Sequence, residues 1–164
     1  MLKTLLRCQI VLLAVMAPPA GASSPANLVI ETVSISADEA YEDIQPGILH
    51  FNGNFTMHSR DWQLESVHAT VYGQPDRPDE VYLKGSPARF LINRNQGDGQ
   101  STVEAAAPAV EYQRSTNMLK LSGGAVLKLD REEIRSEVIE YNISTDRYRA
   151  AGADGVIIEV PPRN

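Results

Sequence analysis

Two stretches of this chain repeat one another in strand phase. Leu49, Phe51, Gly53 and Phe55 match Leu119, Leu121, Gly123 and Ala125, and Leu64 and Ser66 match Ile134 and Ser136, every pair 70 positions apart. A shared register of that length, apolar at every second position, demands side chains that alternate between the two faces of an extended backbone. Outside the N-terminal segment nothing carries helix-length periodicity. The copies therefore predict one β-strand unit used twice and joined into one sheet system.

The remainder of the chain breaks into short alternating segments bounded by turn residues. Strands are predicted over 29–36, 48–57, 63–72, 80–84, 88–93, 101–106, 118–129, 133–141, 147–151 and 155–160. Gln74 to Asp79 reads as a loop because its prolines cannot donate to a ladder, and Asn95 to Gly99 reads as a hairpin loop. Glu42 to Gly47 reads as a turn. Antiparallel sheets with one apolar face must pack on another sheet or close on themselves, so about ten such strands predict a sandwich, jelly roll or barrel. Gly53, Gly85, Gly123, Gly124 and Gly152 fall inside or beside strands, where glycine marks a bend or bulge.

At the N-terminus Lys3 and Arg7 flank the start of an apolar run from Cys8 to Ala17, followed by Pro18-Pro19 and Ala20-Gly21-Ala22. This order of basic, apolar and small residues predicts a secretory signal over residues 1–22, cleaved near Ala22, with one domain over 23–164. The apolar run is shorter than the roughly 20 residues that span a bilayer, which disfavours a retained anchor. Cys8 is the single cysteine, so the mature domain holds no disulfide and rests on sheet and core. A net charge of −6, more negative still once Lys3 and Arg7 are removed, repels nucleic-acid phosphates and excludes nucleic acid as a partner.

The order and spacing of these segments resemble the OstA-like domain family of periplasmic lipopolysaccharide-transport proteins. The residues that carry the resemblance are Ile35-Ser36-Ala37-Asp38, Leu49 to Phe55, Leu119 to Ala125, Ile134 to Asn142 and Arg147 to Gly152. It implies an all-β fold, an open and twisted β-jelly roll made of the two tandem repeats, whose facing sheets form a V-shaped apolar trough. It implies a non-catalytic carrier that binds the lipid A acyl chains of lipopolysaccharide and bridges its passage from inner to outer membrane. The implied partners are lipopolysaccharide, the inner- and outer-membrane transport components reached through edge-strand pairing, and a head-to-tail homo-oligomer. No cofactor is implied.

Candidate trough residues are Leu49, Phe51, Phe55, Leu119, Leu121, Leu127, Leu129, Ile134, Val156 and Ile158. Periodicity alone makes them a core face, and the resemblance implies that the group lines the trough. The acidic balance keeps a phosphorylated head group outside, with Arg89, Arg147 and Arg149 as candidates for local contact. His50, His58 and His68 have no ligand-spaced neighbours and read as surface histidines, and Asp130, Glu132 and Glu133 read as a solvated turn. No nucleophile, base and orienting group assemble, so no enzyme is predicted. Two other functions fit the same sequence: a membrane-anchored relative in the same transport system, and an adaptor that pairs edge strands without binding lipid.

Overall fold

The computed structural model describes residues 32–96 and 99–162; the expected signal segment, 1–22, lies outside them. Ten strands form one antiparallel sheet: β1 (Ser34–Ser36), β2 (Glu39–Glu42), β3 (Ile48–His58), β4 (Trp62–Gln74), β5 (Arg77–Gln96), β6 (Gly99–Gln113), β7 (Met118–Leu129), β8 (Glu132–Asn142), β9 (Arg147–Ala151) and β10 (Ile157–Glu159). The sheet order is β1-β3-β4-β5-β6-β7-β8-β10, with β2 also on β3 and β9 also on β8. Every strand from β3 to β8 thus pairs with its neighbour in sequence, as hairpin connections dictate.

A continuous line of register breaks crosses the six long strands. It runs between Asn52 and Phe55 on β3, Glu65 and His68 on β4, Lys84 and Ala88 on β5, Ala106 and Ala109 on β6, Ser122 and Ala125 on β7, and Ser136 and Val138 on β8. Extra residues opposed by fewer on the neighbouring strand bend a sheet, and here the bends add up to one crease. The repeated glycine of the sequence is part of that device. Gly53-Asn54 and the corresponding Gly123-Gly124 all have positive φ, between 47° and 92°, at the break in β3 and in β7.

The crease folds the sheet into two layers. Phe90 pairs in the ladder with Ala105, and Tyr112 lies seven positions farther along β6, roughly 23 Å at 3.3 Å per residue. Yet the Phe90 and Tyr112 rings stack with centroids 6.2 Å apart. The first layer holds the halves of β3 to β8 that pair with β2 and β9; the second holds the halves that pair with β1 and β10. Their inner faces form one apolar core with no buried polar or charged residue among the described ones.

Three of the differences from the sequence reading trace to proline. Residues 80–84 and 88–93 belong to one strand, β5, and Ser86-Pro87 occupies its bulge; β6 likewise continues through Pro108 on the crease. Proline removes a ladder donor, and a bulge is where no donor is needed. The loop expected from Gln74 to Asp79 contracts to Pro75-Asp76, with Pro78 already paired opposite Gly73. The four-residue β2 was not foreseen: it is exposed throughout and carries no alternating apolar signal.

Candidate functional site

Six of the ten candidate trough residues, Phe51, Phe55, Leu119, Leu121, Leu127 and Ile134, are buried in the core between the layers. Leu49 and Leu129 are partly buried at its margin. The structure brings these eight together from both sides of the crease. Val156 and Ile158 stand apart from the other eight: they are 42% and 51% exposed, and Ile157 between them is also exposed. β10 is a three-residue edge strand paired on one side with Glu133–Arg135, and no facing layer covers it. The expected slot along the whole interior is filled, over most of its length, by the protein's own side chains.

The interior opens at the end opposite the crease. There a crevice of about 240 Å³ lies between Trp62, Leu64, Phe90 and Ile92 of the second layer and Val81, Tyr112 and Ile143 of the first. The comparison that sets its capacity is an apolar protein cavity of about 150 Å³, which admits benzene. A space of that size matches the end of one alkyl chain and is too small for several chains. Trp62 begins β4, one residue before the predicted strand, and its alternation with Leu64 turns both side chains inward. The predicted strand over 88–93 already placed Phe90 and Ile92 on one face. Nothing in the sequence paired them with Tyr112 and Ile143, because that contact exists only once the sheet is creased.

Charged groups stand at the rim. Asp76 lines it from the β4–β5 turn, Arg77 from the start of β5, and Arg114 from the β6–β7 turn. Arg114 is anchored twice on Asp79, its backbone N–H to the Asp79 carbonyl at 2.9 Å and its guanidinium to the Asp79 carboxylate.

Beside the crevice a polar clasp joins the layers. Arg94, from the far end of the second layer, donates to the Tyr141 hydroxyl at 2.6 Å and to the Ile143 carbonyl at 2.8 Å, and pairs with Asp146 at 3.0 Å. Tyr141 in turn donates to the Asp146 carboxylate at 2.6 Å. Burial and this acceptor raise the Tyr141 pKa well above its ordinary value. The Tyr141 hydroxyl and Arg94 hold Asp146 below the usual carboxylate range, against a smaller opposing effect of burial. All members are satisfied by one another, which is what a half-buried polar group requires.

The histidines are elsewhere. His50 lies on the outer face of the first layer, where its Nε2 donates to Asp43 at 2.9 Å and its Nδ1 meets the Thr70 hydroxyl at 3.2 Å, with Tyr41 stacked 5.0 Å away. The His50 hydrogen bond, followed by that from the Gln45 N–H, lowers the Asp43 pKa. These contacts tie the β2–β3 turn to the sheet. Asp–His–hydroxyl geometry is shared with hydrolases, but here Asp43 is at the surface and none of the crevice residues approaches the group.

Comparisons with known proteins agree with this architecture. A sequence model of the family described as LptA/(LptD N-terminal domain) LPS transport protein matches residues 34–147. Among solved structures, the crystal structure of LptH from Pseudomonas aeruginosa, described as the LptA homologous periplasmic component of the conserved lipopolysaccharide transport device, aligns with a TM-score of 0.69. It is 18% identical, and the alignment covers 80% of this chain and 96% of that one, a likeness of fold. No curated protein sequence matched. With the family model spanning β1 to the start of β9, and the creased two-layer fold in common with LptH, the chain belongs to the LptA/LptD N-terminal domain family of lipopolysaccharide-transport proteins.

Proposed function

We propose that this protein is a non-catalytic periplasmic carrier that holds acyl chains of lipopolysaccharide between its two layers and passes them along a bridge between the membranes. The observation that carries the reading is the apolar interlayer space, continuous with the core and open at the Trp62–Tyr112 end. Each CH₂ removed from water is worth about 0.8 kcal/mol, so a few carbons of a tail in the crevice offset its ordering. Apolar burial has no direction, which suits cargo that must move on. Deeper occupancy requires the layers to part, because the interior is packed when empty. In this reading residues 1–22 are removed on export; sequencing the exported chain checks it, with a start near Ser23 expected.

A photo-crosslinking residue at Phe90, in the crevice, is expected to capture lipopolysaccharide in cells, and one at Lys120, on the outer face, to capture none. Equal labelling at both positions removes the carrier reading. A second reading, an adaptor that pairs strands and binds no lipid, draws on the exposed apolar residues of the C-terminal edge, Val156, Ile157, Ile158 and Val160. Native mass spectrometry separates the two: co-purifying lipid is expected of the carrier and its absence of the adaptor.

A further inference from the structure

We propose that Arg77 and Arg114 form an anion-recognition rim on the crevice, so that the amphiphile best bound there carries a phosphate at the head of the chain that enters it. The inference rests on the carrier reading, and it adds a head-group preference that the apolar lining alone does not supply.

Three observations converge. The crevice is apolar in its depth and carries guanidinium groups only at its rim, the arrangement an amphiphile requires. Arg77 is exposed and makes no ion pair among the described residues, so its charge is uncommitted. Arg114 keeps its Nε out of water without a hydrogen-bond partner while its Nη2 holds Asp79. A buried donor without a partner is a cost, which a shift of the Arg114 side chain toward an incoming acceptor would remove. The double anchoring of Arg114 on Asp79 fixes the guanidinium at the rim before any ligand arrives, which reduces what binding must order. Asp76 and Asp79 leave the rim close to neutral, and in a chain of net charge −6 that is a place where an anion meets little repulsion. Guanidinium groups recognise phosphate oxygens through paired, charge-assisted hydrogen bonds, and two of them at one mouth select for a phosphate over a hydroxyl. Arg89, Arg147 and Arg149, the arginines expected from the sequence to meet the head group, do not line the crevice.

Trp62 is the only tryptophan and lines the crevice, so its fluorescence reports occupancy directly. The purified protein is titrated with n-decyl phosphate, n-decanol and inorganic phosphate, below the micellar range. Decyl phosphate is expected to bind about tenfold or more tightly than decanol, the span of a charge-assisted contact. Arg77→Gln and Arg114→Gln are each expected to narrow that ratio, Arg114→Lys to retain part of it, and Lys128→Gln, a remote loss of the same charge, to leave it unchanged. Arg77 is exposed, so its variant keeps the comparison sound if loss of the Asp79 pair unfolds Arg114→Gln. Equal affinity for decyl phosphate and decanol overturns the anion rim and leaves the acyl crevice standing. Saturation by inorganic phosphate at the same concentrations as decyl phosphate overturns it as well, assigning the arginines to a free anion. If neither decyl compound binds, the acyl crevice fails and the rim fails with it.

Discussion

At the scale of single residues, the clasp of Arg94, Tyr141 and Asp146 ties the two layers together beside the open end of the apolar interior. Tyr141 is fully buried and its hydroxyl both accepts from Arg94 and donates to Asp146. Tyr141→Phe keeps the ring and removes one hydrogen bond from each of Arg94 and Asp146, which still hold each other, so a loss of about 1–3 kcal/mol is expected by urea denaturation with an unchanged denaturant dependence. The same clasp sets a pH response. The folded-state pKa of Asp146 is lowered, so its contribution is complete above the unfolded carboxylate value of about 3.9 and is lost as pH falls through the lower folded value. Stability measured between pH 6 and 2.5 is expected to fall at the acid end, and Asp146→Asn to flatten part of that fall. The part is small because the Asp146 side chain is 53% exposed. None of this was legible in the sequence: Arg94 and Tyr141 pair in the ladder with Ser101 and Leu119, and only the folding-over of the sheet brings them within reach.

At the scale of elements, alternation and glycine made most of the strands readable, and the bulges explain both the successes and the misses. Met118–Leu129 was foreseen to the residue because β7 carries its apolar set in one phase, while 80–84 and 88–93 were divided at the bulge in β5. The glycine pair that announced the repeat is where conformation, more than packing, chooses the residue. Gly53 has φ +71° and an added Cβ would strike the Asp38 side chain; Gly123 has φ +91° with Pro108 Cγ 3.3 Å from the same position. Gly53→Ala and Gly123→Ala are each expected to cost about 1–3 kcal/mol in thermal unfolding, with the larger loss at Gly53. The candidate site was half legible for a related reason. Period-two patterning marked the residues that face inward, and it carries no information on which inward residues remain reachable from solvent.

At the scale of the whole molecule, four short edge strands, β1 and β2 at one end and β9 and β10 at the other, leave backbone donors and acceptors unpaired. The C-terminal end adds exposed Ile157 and Ile158 on β10. If copies join through this end, Ile157→Lys is expected to lower self-association in sedimentation velocity while leaving the circular dichroism spectrum unchanged; unaltered association assigns the contact to another edge. The direction of the crease gives such joining a meaning. It runs across the strands, from the edge built by the first residues of the domain to the edge built by the last. A neighbour seated in register at either edge would prolong the same spine, and the apolar interiors of the two copies would lie end to end along it. On the carrier reading proposed above, a tail held in one copy would reach the next without being returned to water.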